Sequence, residues 1–174
     1  SNTFKRKSLF QFLKKEKYDI VCLQETHVTK NNSELWSRQW SGQFFSSPGT
    51  SHGKGQIILI NKFSKVSDCK IVVESDRVLG VKVTIENQNI MIFNVYGPNK
   101  EEEKESFFKQ ITKLVQEIAP NINNYVIAGD FNTVASNEVD IIAGNKHRPN
   151  TVKMFNNAMI QWETYDVWRL FHDG

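Results

Sequence analysis

The alternation of apolar and polar positions divides the chain into helices and strands. In KRKSLFQFLKKEK (5–17), Leu9, Phe10, Phe12 and Leu13 fall together at helical spacing with lysines around them, which predicts an amphipathic helix. YDIVCLQET (18–26) is short and apolar and predicts a strand; 31–41 is polar with two Trp and reads as a short helix. SSPGTSHGKG (46–55) has the Pro, Gly and Ser content of a loop. QIILINK (56–62), CKIVVES (69–75), VLGVKVTIE (78–86) and NIMIFNVYG (89–97) read as strands. The last three are parted by polar turns, tightest at NQN (87–89), which predicts an antiparallel meander. EEEKESFFKQITKLVQEIAP (101–120) is a helix with acids in its first turn, where the helix dipole favours them, and Pro120 at its stop. YVIAGD (125–130) is a strand, 148–161 is helical, and WETYDVWRLFHDG closes the chain.

Several strands are apolar on both faces. In NIMIFNVY, Ile90, Ile92, Asn94 and Tyr96 alternate with Met91, Phe93 and Val95, so such a strand needs a layer above it and another below. Helices on one side and a second sheet on the other meet that need, which predicts a layered α/β protein with mostly antiparallel or mixed sheets.

Bulk properties add bounds. A length of 174 residues fits one domain over 1–174 with a real core, to which 12 Phe and 4 Trp contribute. No apolar run approaches the roughly 20 residues of a membrane helix, and no leader with a cleavage site opens the chain. Cys22 and Cys69 sit in different apolar strands; a disulfide is one reading, and two buried, reduced thiols of an intracellular protein are the expected one. The net charge of +3 permits a polyanionic partner without requiring one. Residues 1–30 carry seven Lys or Arg against three acids, which a solvated helix face also explains.

Three apolar strands end in similar chemistry. YDIVCLQET delivers Glu25, NIMIFNVYGPN delivers Asn94, Tyr96 and Asn99, and YVIAGDFN delivers Asp130 and Asn132. By period-two alternation Glu25 shares the buried face of Val21 and Leu23, and Asp130 that of Val126 and Ala128 if the strand stays regular past Gly129. A carboxylate there is costly unless paired or bound to a cation. If the ends gather on one rim they form an oxygen-rich pocket suited to Mg²⁺ or Mn²⁺; no Cys/His cluster with zinc spacing exists. Each residue also has a plain explanation: Glu25 a solvated rim acid, Asp130 with Asn132 a turn pair, Tyr96 a core tyrosine.

LQETH (23–27), NVYGPN (94–99) and AGDFN (128–132), in this order and spacing, resemble the endonuclease/exonuclease/phosphatase superfamily, which includes exonuclease III, apurinic endonucleases and deoxyribonuclease I. KRKSLFQFLKKEKYDIVCLQETHV and DVWRLFH are similar to the apurinic-endonuclease-like endonuclease domain of LINE-type (non-LTR) retrotransposons, and the resemblance covers nearly the whole chain. It implies a four-layer α/β/β/α sandwich of the deoxyribonuclease I type, incomplete here, and hydrolysis of phosphodiesters with Mg²⁺ or Mn²⁺. Carried over, Glu25 resembles the metal-ligating glutamate, Asp130 the aspartate that orients or deprotonates the attacking water, and Tyr96 the tyrosine beside the scissile phosphate. Asn132 and Asn99 resemble amides that hold phosphate oxygens; Asn94 and His27 are further candidates for phosphate or DNA contact. Lysines of the first helix and of SHGKG (51–55) are candidates for the DNA backbone. The implied partner is DNA, with no membrane. The implied context is a monomeric domain of a larger polyprotein with reverse transcriptase, intracellular and nuclear when acting on DNA.

The sequence departs from the family pattern at both ends. The family has a strand with a metal-supporting asparagine before the helix at 5–17, and Asn2 does not take that role. A late aspartate and a Ser-Asp-His strand end are also missing: SDC (67–69) and SDR (75–77) are misplaced, and FHDG (171–174) has the wrong order. The expectation is a fragment that does not nick DNA appreciably by itself, with Ser-Asp-His roughly 60–70 residues beyond Gly174. Two other functions fit the same residues: a phosphatase acting on a phosphoinositide-like ester, and a catalytically dead nucleic-acid-binding remnant.

Overall fold

The computed structural model describes residues 3–49, 55–118, 124–144 and 146–172. The elements run α1 (Thr3–Glu16), β1 (Ile20–Leu23), α2 (Ser33–Ser37), β2 (Gln43–Ser47), β3 (Gln56–Ile60), β4 (Val66–Glu74), β5 (Val78–Ile85), β6 (Gln88–Tyr96), α3 (Glu101–Ile118), β7 (Asn124–Asp130), α4 (Asn137–Asp140), α5 (Pro149–Gln161) and α6 (Val167–Phe171). The chain divides into two compact units, Ser1–Tyr96 with Ile122–Asp130, and Gly97–Asn121 with Phe131–Gly174.

The first unit holds both sheets. One has the order β1-β3-β2 and is antiparallel throughout; the other has the order β4-β5-β6-β7. The β4-β5-β6 meander is as the sequence predicts, and β7 adds in parallel to β6. The tight turn before β6 is Glu86-Asn87, both with positive φ, the twist that matches a two-residue hairpin. β3 explains why QIILI is apolar without a break. Ile57 and Leu59 pack on Phe10, Leu13, Trp36 and Trp40, while Ile58 and Ile60 face Leu79, Val81, Val83 and Ile92 of the second sheet. This unit is therefore layered helix, sheet, sheet.

Three expectations change. Phe12 is not on the buried face of α1; that face runs Arg6, Phe10, Leu13, at i, i+4, i+7, and leaves Phe12 exposed. Arg6 fits there because it lies 5.0 Å from the Trp36 ring centroid and its Nε donates to Gln39 Oε1 at 2.9 Å. A strand, β2, occupies 43–47, partly within the expected loop; residues 50–54 of that loop lie outside the described ones. β1 stops at Leu23, short of Glu25.

The second unit is helical. Phe107, Phe108, Ile111 and Val115 form the buried stripe of α3; Phe155 and Ala158 of α5 and the following Trp162 are buried with them. Phe108 lies 5.7 Å from Phe155 and 6.4 Å from Trp162, ring to ring, and Trp162 Nε1 donates to Thr112 Oγ1 at 2.9 Å. Phe131 stacks on the same aromatics, 5.0 Å from Phe155 and 6.2 Å from Trp162. Pro149 begins α5, where its missing N–H is harmless. Pro120, expected to stop α3, lies outside the described residues.

Candidate active site

The first unit gathers three of the predicted residues. Beyond β1 the backbone leaves extended geometry: Glu25 and His27 both have positive φ, 50° and 56°, a conformation non-glycine residues adopt sparingly and that clusters at functional sites. Thr26 N–H donates to Gly55 O at 3.0 Å and holds this turn to the start of β3. The alternation argument for Glu25 therefore fails. The left-handed turn, and not strand period, sets its direction, and the residue is exposed. Its carboxylate accepts a hydrogen bond from the Tyr96 hydroxyl. Tyr96 ends β6 and is 7% exposed, and its direct register partner on the parallel neighbour is Asp130, the last residue of β7. Asp130 is likewise exposed, and Val126 of the same strand is 49% exposed, so the expected buried face of β7 is open.

Asn94 has a different place from the one expected. It is fully buried, and its Nδ2 donates to Leu23 O at 2.9 Å and Ile57 O at 3.1 Å. Its Oδ1 accepts from Gln24 Nε2 at 2.6 Å. The amide links β6 to both β1 and β3, and no part of it reaches the surface to meet a phosphate. Gln24 is part of this tie and had no sequence signal.

Gly129 has φ 139°, and a Cβ on it would collide with the main chain of Val95, whose nitrogen would be 2.8 Å away. The glycine is needed for β7 to approach β6 just before Asp130.

In the second unit, Asn99 is exposed and Asn132 partly buried. Asn132 has φ 50° and its Nδ2 donates to Gly97 O at 2.8 Å. Its main-chain carbonyl accepts from Lys104 Nζ at 2.6 Å. Lys104, 1% exposed, pairs with Glu101 at 2.9 Å and lies 3.4 Å from His147 Nδ1. Glu101 also accepts from the Thr151 hydroxyl. Burial opposes ionisation of Glu101, but the hydrogen bonds of Thr151 and Lys104, the Lys104 charge and His147 outweigh it and hold its carboxyl below the usual range. This cluster is almost silent in the sequence. Its one signal was Lys104 itself, which continues the apolar stripe Phe107, Phe108, Ile111, Val115 by one turn.

The donor set of the first unit is oxygen. Among the described residues no three His, Cys, Asp or Glu side chains gather for a metal ion. An exposed carboxylate oriented by a phenol fits a cation that keeps its waters and takes one or two carboxylates, as Mg²⁺ does, and does not fit a zinc site.

A family model described as the Endonuclease/Exonuclease/phosphatase family matches residues 1–145. The chain belongs to that family. Across 170 residues it is 25% identical to the "Transposon TX1 uncharacterized 149 kDa protein" of Xenopus laevis, covering 97% of this chain and 13% of that protein's length. Among solved structures it is similar to an AP endonuclease from Archaeoglobus fulgidus, with TM-score 0.64, 20% identity and coverage of 94% of this chain and 68% of that one. It is similar also to the endonuclease domain of TRAS1, a telomere-specific non-LTR retrotransposon, with TM-score 0.64, 13% identity and coverage of 93% and 67%. These likenesses establish the expected α/β fold class, with two sheets and helices of the deoxyribonuclease I type. The LQETH, NVYGPN and AGDFN segments all fall within the stretch matched by the Endonuclease/Exonuclease/phosphatase family. Among the described residues no helix is long and apolar enough to cross a membrane.

Proposed function

We propose that residues 1–174 belong to one metal-dependent DNA endonuclease domain of a non-LTR retrotransposon, which nicks target DNA to prime reverse transcription. The observation that carries this reading is the meeting of Tyr96 with Glu25 on one side and Asp130 on the other, at the ends of β6, β1 and β7. Likeness to a transposon protein and to a retrotransposon endonuclease domain supports the choice of substrate. The proposed partner is DNA, within a larger polyprotein acting in the nucleus.

Glu25 would hold Mg²⁺ or Mn²⁺. When bound, such an ion neutralises charge on the phosphoryl oxygens and assists the leaving oxygen. Tyr96 fixes the direction of the Glu25 carboxylate through its hydroxyl. Asp130 accepts the proton of the attacking water as its oxygen bonds to phosphorus and the ester P–O bond breaks. Asn132, tied through its carbonyl and its amide, and the exposed Asn99 are proposed to donate amide N–H groups to phosphoryl oxygens, as the resemblance implies. His27 is proposed to touch the DNA backbone. Asn94, buried and fully engaged, keeps the strands in place.

The test compares supercoiled plasmid with a phosphoinositide, each with Mg²⁺, using the chain alone and within its natural polypeptide. Open circles without release of inorganic phosphate are expected from the natural polypeptide, and no appreciable nicking from the chain alone. Phosphate release without nicking would replace the proposal with a phosphatase. DNA binding with no cleavage at any metal concentration, unchanged by Glu25→Ala and Asp130→Ala, would replace it with a binding remnant.

A further inference from the structure

Lysine is rarely buried without a partner, because taking an ammonium out of water is costly. Lys104 is 1% exposed on a helix whose other lysines reach solvent. One carboxylate, Glu101 at 2.9 Å, would satisfy the charge. The ammonium instead also donates to a main-chain carbonyl, that of Asn132, at 2.6 Å. Charge-assisted hydrogen bonds of this kind are short and directional. Glu101 is itself held by Thr151 and stands 3.7 Å from His147 Nδ1, so the lysine has little freedom to move away.

The residue gripped in this way is in the left-handed region, φ 50°, which asparagine tolerates better than most residues but which still needs support. Its side chain is tied at the other end, Nδ2 to Gly97 O at 2.8 Å. Gly97 is required for that approach, since a Cβ on it would run into the main chain of Phe131, 3.0 Å from its Cα. Asn132 is thus fixed by its carbonyl and by its amide, from two directions.

We propose that Lys104 is the positioning residue for Asn132: its buried ammonium, anchored by Glu101, clamps the Asn132 carbonyl and so sets the direction in which the amide is presented. The consequence for catalysis rests on the endonuclease reading above; the clamp itself does not.

Two readouts keep the ideas separate. Hydrogen exchange over residues 130–134 of the chain reports the clamp without any activity. The segment is protected in wild type and in Lys104→Arg, and loses protection in Lys104→Met. If Lys104→Met does not fold, Glu101→Gln, which keeps the lysine but removes its anchoring charge, gives the same loss in smaller measure. Unchanged exchange in the folded variants would overturn the clamp. In the natural polypeptide, nicking by Lys104→Met falls in kcat by about tenfold or more with little change in KM, and Lys104→Arg restores most of it. Lys104→Met combined with Asn132→Ala is no worse than Asn132→Ala, since both act through one group. Losses that multiply would make Lys104 a general fold-stabilising residue and overturn positioning. Loss of exchange protection in Lys104→Met, together with a wild type that never cleaves DNA, would retain the clamp and remove the endonuclease reading alone.

Discussion

The hydroxyl of Tyr96 donates to the carboxylate of Glu25, 71 residues away in the chain, and so joins the end of β6 in one sheet to the turn after β1 in the other. The aromatic ring is buried while the acid is exposed, so the phenol brings order to a carboxylate that would otherwise sample solvent. Tyr96→Phe keeps the ring and removes only the bond. It is expected to cost about 1 kcal/mol of stability, read as a lower urea midpoint at unchanged slope. A midpoint equal to wild type would show that the contact has no net value.

Asn94→Leu should be more damaging. The carbonyls of Leu23 and Ile57 lose their shared donor inside the first unit, and Gln24 loses its acceptor. About 3 kcal/mol of destabilisation is expected from unpaired buried polar groups, against a fraction of that for Asn99→Leu on the surface. Calorimetric melting of the two variants side by side checks the contrast.

Gly129→Ala places a Cβ against the Val95 main chain at a φ of 139°. Neither clash nor conformation can be relieved by rotating a side chain, so a loss of about 3 kcal/mol or more is expected. Gly144→Ala is the control: that glycine also has positive φ, 115°, but among the described residues no atom beyond its chain neighbours lies within 4 Å of the added carbon. It should therefore cost only the smaller penalty of conformation. Equal melting temperatures for the two alanine variants would contradict the close approach of β7 to β6.

Glu101 titrates below its ordinary value in the folded protein, so it binds protons less readily folded than unfolded. Its contribution to stability is full above the unfolded value near 4.5 and is lost as pH falls through the lower folded value. Glu138 and Asp140 are lowered too and add to the acid sensitivity of the wild type. The decisive quantity is the difference: Glu101→Gln should show a shallower fall of stability between pH 5 and pH 3, measured by denaturant unfolding at each pH. Parallel curves would refute the Glu101 cluster as drawn.

The sequence was most legible where one period dominated. The meander β4-β5-β6, the stripe of α3 and the strands that end at Tyr96 and Asp130 follow from alternation and turn residues alone. It failed where a single backbone angle overrides periodicity. Glu25, at φ 50°, is directed by a turn and not by the strand before it. Asn94 shares its strand and face with Tyr96, yet lies deep enough for its amide to be consumed by main-chain carbonyls, a difference set by the other sheet and invisible in NIMIFNVY. Lys104 gives little sign of burial because a lysine in a charged helix ordinarily faces water. Its position one turn before Phe107 and Phe108, on the buried stripe, was the discriminating feature.

Glu25 and Asp130 are proposed to serve one phosphodiester-cleaving site. Its most direct measurement is the rate at which supercoiled plasmid is converted to open circles by the natural polypeptide that carries this chain, with Mg²⁺ and with chelator. Nicking is expected to require the metal and to fall by about a hundredfold or more in both Glu25→Gln and Asp130→Asn, while Glu105→Gln, exposed on α3, leaves it unchanged. Nicking that survives both site substitutions, or a wild type that cleaves no DNA at any Mg²⁺ or Mn²⁺ concentration, would contradict it.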